Sequence, residues 1–202
     1  MADFKKMIPF IFHFAAGVYG KDGSDLQLPL ERQFELAKKN GWSNDPDDPG
    51  GETMIDVTLA AYKAYCRNKG LPVPDGAALK NIPFSQWQDI LKSMYWDKMK
   101  ADQILSQGIA NMCVDWLWAS GTGMIKNIQR LLGVTADGIV GQRTLAAING
   151  SSPTTLFARL YTAREKYYKG CSGWWKYGKG WMRRLNAING DGSFTIYGKI
   201  IK

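Results

Sequence analysis

The sequence predicts a mainly α protein. Three observations carry this. Apolar residues recur at the 3.6-residue helical period along most of the chain, sustained β-type alternation is absent, and residues 104–119 are apolar nearly all round, as a buried helix is.

The elements follow in order. Residues 4–16 read as a buried first helix ending at Gly17, with Pro9 in its first turn, where a missing N–H costs little. Lys5-Lys6 before an apolar run also has the outline of a short signal peptide, but His13 interrupts the run. Residues 20–29 are a turn-rich loop. Residues 31–40 form a short amphipathic helix, with Phe34 and Ala37 on one face, Glu35 and Lys39 at i,i+4, and Gly41 as its C-terminal cap. Residues 42–53 hold two Pro, two Gly and five acids or Asn, a composition that excludes regular structure. Such a polar loop between packed helices is either a functional segment or a solvated surface turn.

Residues 58–69 read as a helix ended by Gly70 and Pro72, and Ser85 is expected to cap a helix running through Trp87, Ile90, Leu91, Met94 and Tyr95. After the central helix at 104–119 come a helix at 125–132 ended by Gly133, a tight turn at 136–141, and helices at 142–148 and 154–168. Residues 170–180 are rich in Gly and Trp, a basic helix follows at 181–188, and the last dozen residues are extended. By organisation the chain divides at 1–121 and 122–202, the second part packed into the same globule.

The 202 residues suit one domain with a small appendage, and 25 aromatics (8 Trp, 9 Tyr, 8 Phe) can build a core and line a cleft. No apolar run approaches the roughly 18–20 residues of a membrane span. Cys66, Cys113 and Cys171 are far apart and read as reduced, mostly buried thiols. With His13 as the single histidine there is no basis for a metal site, and no cofactor is called for. A monomer is expected.

Charge is uneven. Residues 1–100 hold 13 basic and 13 acidic residues, whereas residues 159–202 hold ten basic residues against Glu165 and Asp191. A basic end of this kind favours a polyanion: nucleic acid, anionic lipid or an acidic cell-wall polymer. Arg159, Arg164, Lys166, Lys169, Lys176, Lys179, Arg183 and Arg184, with Trp174, Trp175 and Trp181, either track such a polymer or form a solvated helix face over core tryptophans.

The strongest chemistry is carboxylate plus aromatic. Acids cluster at 45–52, Asp115 sits in a Trp-rich helix, and Trp42, Trp96, Trp116 and Trp118 are available to line a cleft. Sugar CH faces stack on rings and carboxylates accept hydroxyl hydrogen bonds, while glycoside hydrolysis needs a protonated acid at the leaving oxygen. Core tryptophans and an Asp115 held by arginine or backbone hydrogen bonds are the competing structural reading.

The run Asn44-Asp45-Pro46-x-Asp48-Pro49-Gly50-Gly51-x-Thr53, with Val57-Thr58 following, resembles the signature loop of the glycoside hydrolase 108 lysozymes, a family that includes proteins labelled secretion activators. Tyr95-Trp96-Asp97 and Val114-Asp115-Trp116-x-Trp118-Ala119-Ser120-Gly121 are similar to the same family, and residues 129–145 resemble its C-terminal peptidoglycan-binding region. The resemblance covers about residues 1–190. It implies a lysozyme-like helical fold with a polar Asn-Asp-Pro/Gly-Gly active-site loop, and cleavage of peptidoglycan glycan strands at N-acetylmuramic acid. It implies substrate contacts at Asp45, Asp48, Thr53, Asp56, Thr58, Trp96, Asp115 and Trp118, with Asp45 and Asp48 also shaping the loop through backbone N–H groups.

Departures from the family pattern matter equally. The family's general-acid glutamate stands in a Glu-Gly-Gly-aromatic motif at the end of the first helix; Phe14-Ala15-Ala16-Gly17-Val18 takes that place, so Ala15 occupies the glutamate position. Residues of about 19–42 then read as an insertion before the loop. Asp56 replaces the Gly that the family places before Ile/Val-Thr. The chain is accordingly expected to be inactive or strongly impaired, unless Glu31, Glu35, Glu52 or Asp56 substitutes; Glu35 pairs with Lys39, which makes it a poor acid. A non-catalytic peptidoglycan-binding protein and a nucleic-acid binder are the alternatives. The chain is expected to be bacterial or phage in origin, to carry no secure signal peptide, and to act on the cell wall after export or lysis.

Overall fold

The structure is a computed structural model that describes residues 1–19 and 23–201. Gly20 and Asp22 of the expected loop at 20–29 therefore lie outside the described residues. The chain is mainly helical and forms two compact units, Lys5–Met94 and Met1–Phe4 with Tyr95–Lys202.

In the unit Lys5–Met94, α1 (Ile8–Ala16) carries Pro9 in its first turn and ends where Gly17 turns left-handed at φ 66°, its N–H donating to the His13 carbonyl. α2 (Leu30–Lys38) turns Gln33, Phe34 and Ala37 inward. Lys39, not Gly41, is the helix cap; Gly41 is buried where a Cβ would come within 2.5 Å of the Ile55 side chain, so its glycine serves packing. Phe12 of α1 packs on Phe34 and on Trp87, ring centroids 5.9 and 4.9 Å apart. These aromatics form the core of the unit.

Between α2 and the next helix the chain makes three short strands, β1 (Trp42–Ser43), β2 (Thr53–Met54) and β3 (Val57–Thr58), paired antiparallel in that order. The expected absence of regular structure over 42–53 thus needs correcting at both ends. Two-residue strands carry too little alternation to be seen, and the polar composition holds only for the excursion between β1 and β2. α3 (Leu59–Lys69) is capped by Thr58 and closed by Gly70 at φ 66°. α4 (Gly76–Lys80), which the pattern did not suggest, starts from Asp75, whose Oδ1 accepts from Ala78 N at 2.8 Å. α5 (Phe84–Leu91) begins one residue before Ser85, with Pro83 in the cap position, so Ser85 is inside the helix. A π turn, Lys92–Trp96, extends it.

In the other unit α6 (Gln107–Ser120) is the central helix, buried at every residue from 108 to 118. Ser106 Oγ caps it by accepting from Ile109 N. α7 (Met124–Leu132), closed by Gly133 at φ 74°, and α8 (Gln142–Asn149) flank a turn held by Gln129. Its Nε2 donates to Asp137 Oδ1 and its Oε1 accepts from Gly138 N, both at 2.8 Å. α9 (Pro153–Lys169) packs on α6. α10 (Trp174–Asn186) starts well before the expected residue 181, its glycines serving packing rather than a loop: a Cβ at Gly178 would strike the Trp174 ring at 2.6 Å. β4 (Phe194–Ile196) and β5 (Lys199–Ile201) close the chain as a hairpin. Among the described residues no helix is long and apolar enough to cross a membrane.

Candidate functional site

The polar excursion at 44–53 is shaped by its own acids. Asp45 Oδ1 accepts from Asp47 N at 3.0 Å, and Asp48 Oδ1 accepts from Gly50 N at 2.8 Å. Two consecutive turns follow, Asp48 N to the Asp45 carbonyl and Gly51 N to the Asp48 carbonyl. Thr53 Oγ1 donates to the Gly51 carbonyl at 2.9 Å, returning the chain into β2. Thr58 Oγ1 accepts from Ala61 N at 3.1 Å and so caps α3. Residues 43–50, Asp45 apart, are exposed, which leaves a rim of hydroxyl and carboxylate groups open to a polar ligand. Beside it the Lys80 ammonium lies 4.3 Å above the half-buried Trp42 ring.

β2 and β3 are joined by Ile55 and Asp56, both left-handed at φ 46° and 61°. A two-residue hairpin loop of this kind demands positive φ at both positions, and glycine or Asp satisfies it at the second. That accounts for Asp56 where the family pattern has Gly: backbone conformation is the shared requirement. The turn is tied down by Trp87, whose Nε1 donates to the Ile55 carbonyl at 2.9 Å, and by Ile55 N on the Gly41 carbonyl at 2.8 Å.

The remaining acids of this unit are dispersed. Glu31 and Glu35 lie on the exposed face of α2. Glu52 lies over the first turn of α4, so close that a Cβ at Gly76 would meet its Oε2 at 2.4 Å. Ala15 stands half-buried in the last turn of α1. Just beyond it, His13 Nδ1 pairs with the Val18 carbonyl at 2.8 Å, and the Tyr19 hydroxyl donates to Gln33 of α2.

Trp96, Asp115 and Trp118 belong to the other unit. Trp96 is fully buried, its Nε1 donating to Asp102 Oδ1 at 2.6 Å. Trp118 packs edge-on against Tyr95, centroids 4.9 Å apart. Trp116 is buried as well, its Nε1 without a hydrogen-bond partner among the described residues. Asp115 is 0% exposed and clamped by two arginines. Arg164 Nη2 donates to Oδ2 at 2.6 Å, and Arg184 approaches Oδ1 through Nη2 at 2.7 Å and Nε at 3.0 Å. Burial pushes the Asp115 carboxyl up, but the Arg184 and Arg164 guanidiniums outweigh it and hold it below the usual carboxylate range. The sugar-facing role expected of Asp115 is thereby replaced by a structural one, because both its oxygens are occupied inside the α6–α9–α10 core. The competing sequence reading, an Asp115 held by arginine or backbone hydrogen bonds, fits this geometry; which arginines hold it was not legible in the sequence.

A mainly helical fold carrying a small three-stranded sheet and a polar Asn-Asp-Pro excursion defines a lysozyme-like protein. Residues 33–121 match the family model of glycosyl hydrolase 108, and residues 124–186 match that of a predicted peptidoglycan domain. Residues 33–121 are thus similar to glycosyl hydrolase 108 and residues 124–186 to a peptidoglycan domain, the combination of a lysozyme-like protein that acts on peptidoglycan. Among solved structures it is similar to Brucella abortus SagA, at 27% identity over 92% of this chain and 90% of that one, with a TM-score of 0.71. No curated protein matches it. The match to the hydrolase model starts within α2, so α1 and Ala15 lie outside it. The helix that precedes Trp42 and the Asn-Asp-Pro excursion is α2, which ends at Lys38 and is followed by Lys39, Asn40 and Gly41.

Proposed function

We propose that the chain is an N-acetylmuramidase-type scaffold that holds peptidoglycan glycan strands but lacks the general acid, so that turnover is lost or strongly impaired. The observation that carries this is the residue content of two helix ends. α1 ends in Ala15-Ala16-Gly17, the place given to the family glutamate by resemblance, and Lys39-Asn40-Gly41 follows α2 directly before the signature excursion. Neither of these two stretches contains a carboxylate, and Glu35, in the last turn of α2, is exposed. In this reading Asp45, Asp48, Thr53 and Thr58 set the shape of the glycan-facing rim, residues 1–121 and 122–202 are the hydrolase-like and wall-binding parts, and the protein reaches the wall after export or lysis.

Positioned acid–base catalysis contributes about 10²–10⁴-fold, or roughly 3–5 kcal/mol of barrier. Binding survives such a loss and turnover does not. The test measures new reducing ends released from purified peptidoglycan by the parent chain, Ala15→Glu and Lys39→Glu. Activity appearing in one variant identifies the helix end that once carried the acid. Activity in the parent equal to that in both variants overturns the reading and turns attention to Asp56 and Glu52. If none cuts while all sediment with the polymer, the protein is a dedicated binder, which the missing carboxylates favour as the second reading.

A further inference from the structure

The basic end of the chain does not act as one block. Of its ten cations, Arg164 and Arg184 are consumed by Asp115, and Lys169 pairs with Glu165 at 2.8 Å. Arg159 donates to the Leu131 carbonyl. Of the other six, Lys166 lies on α9, Lys199 and Lys202 lie at the end of the chain, and Lys176, Lys179 and Arg183 lie on α10. Its inner face is occupied by Trp174 against Gly178, by Trp181 against Tyr168 and Tyr177, and by Arg184 and Leu185. Its outer face carries Trp175, Lys179 and Arg183, spaced four residues apart and all exposed, with the exposed Lys176 beside them.

Trp175 is 79% exposed. The other seven tryptophans are buried or half-buried, so this ring is the exception within the chain. Residues four apart on a helix are neighbours on its surface, and three of them cover about 12 Å of length at 1.5 Å per residue. The only acids after residue 159 are Glu165, already paired, and Asp191, whose Oδ1 accepts from Ser193 N at 2.9 Å. The stripe is therefore an apolar ring flanked by cations, with the acids of its own segment engaged elsewhere.

We propose that the Trp175–Lys179–Arg183 stripe of α10 is the surface through which this chain docks on peptidoglycan, a glycan strand whose attached stem peptides bear free carboxylates. The proposal rests on the reading that the chain acts on peptidoglycan, and assigns a face to it. A flat ring accepts the CH face of a sugar, and cations one turn away on the same face pair with the carboxylates of the stem peptides attached to that strand. Anionic lipid and nucleic acid satisfy the cations too, but each favours a different ring partner, acyl chain or base, so the competing occupants separate by experiment.

The test is sedimentation of the full chain with purified insoluble peptidoglycan, native or with its carboxylates converted to neutral amides, for the parent, Trp175→Ala and Lys179→Glu/Arg183→Glu. Vesicles of phosphatidylglycerol and a single-stranded oligonucleotide serve as parallel probes, and thermal melting confirms that the exposed substitutions leave the fold intact. Expected are an apparent Kd weakened about tenfold in each variant, a similar loss for the parent on amidated polymer, and weakening with added salt. Parent and variants sedimenting equally with native polymer overturns the stripe while leaving peptidoglycan as the target. Loss confined to vesicles or oligonucleotide overturns it in favour of that partner. A parent that sediments with no form of peptidoglycan overturns both the stripe and the reading beneath it.

Discussion

Arg184 grips Asp115 through two nitrogens, Nη2 at 2.7 Å and Nε at 3.0 Å from Oδ1. Arg164 holds the other oxygen and also donates from Nε to the Tyr168 hydroxyl at 2.8 Å. A buried carboxylate between two guanidiniums leaves one net positive charge inside the protein, so its removal strands two cations. Asp115→Asn preserves shape and is expected to cost about 3–5 kcal/mol of stability, read as a lower urea midpoint. A midpoint equal to the parent's would show that the arginines find other partners.

The same residue sets an acid limit. Its folded pKa lies below the ordinary 3.8, so the stability it supplies is complete above about pH 5 and drains as pH falls through about 4 and below. Asp89 has the same sign: the Lys69 ammonium 2.7 Å away is the main cause that lowers it, though its exposure keeps the contribution small. Urea midpoints measured from pH 7 to pH 3 should be level at first and then fall. Asp115→Asn should flatten most of that fall; an equally steep decline in the variant would assign it to other carboxylates.

The β2–β3 turn separates conformation from chemistry at Asp56. With φ at 61° the position favours a residue without a side chain, so Asp56→Gly should leave the fold intact and raise stability by up to about 1 kcal/mol. Asp56→Val, β-branched, should lower it by about 1–2 kcal/mol. Peptidoglycan binding should follow neither change. A binding loss in the glycine variant with stability unchanged would give the carboxylate a ligand role.

Thiol chemistry reports on packing. Cys113 is fully buried, and burial pushes its thiol up to about 12; Cys66 is buried and raised for the same reason. Only Cys171 is partly open. Iodoacetamide at neutral pH should modify one cysteine in the native protein and three in urea, counted by mass spectrometry. Rapid native labelling of Cys113 would mean that the α6 core opens readily.

Helices were legible where their ends are written in local chemistry. Gly17, Gly70 and Gly133 stop α1, α3 and α7 in the left-handed region, as their places in the pattern suggest. The sheet was not legible, because strands of two residues have no period to read. α10 was shortened by its own glycines, which look like loop residues until Trp174 is seen to need the space of Gly178. Within the site, the turn-forming acids Asp45 and Asp48 declare themselves by Asx-Pro and Pro-Gly neighbours. The burial of the helix that holds Asp115 and Trp116 was legible from its apolar run, but whether its aromatics and Trp96 line a cleft or fill the core was not.

The placement of α6 has a consequence for how such proteins are cut and recombined. The hydrolase model ends at residue 121 and the peptidoglycan model begins at 124, a seam that invites truncation. α6 lies before that seam, yet it packs on α9 and reaches Arg164 and Arg184 beyond it. A tail grafted from residue 124 onward would carry two guanidiniums without their counter-ion, and the piece left behind would end on an apolar helix stripped of its cover. The C-terminal part is therefore no portable cassette: any exchange between relatives that preserves folding has to move α6 together with α9 and α10.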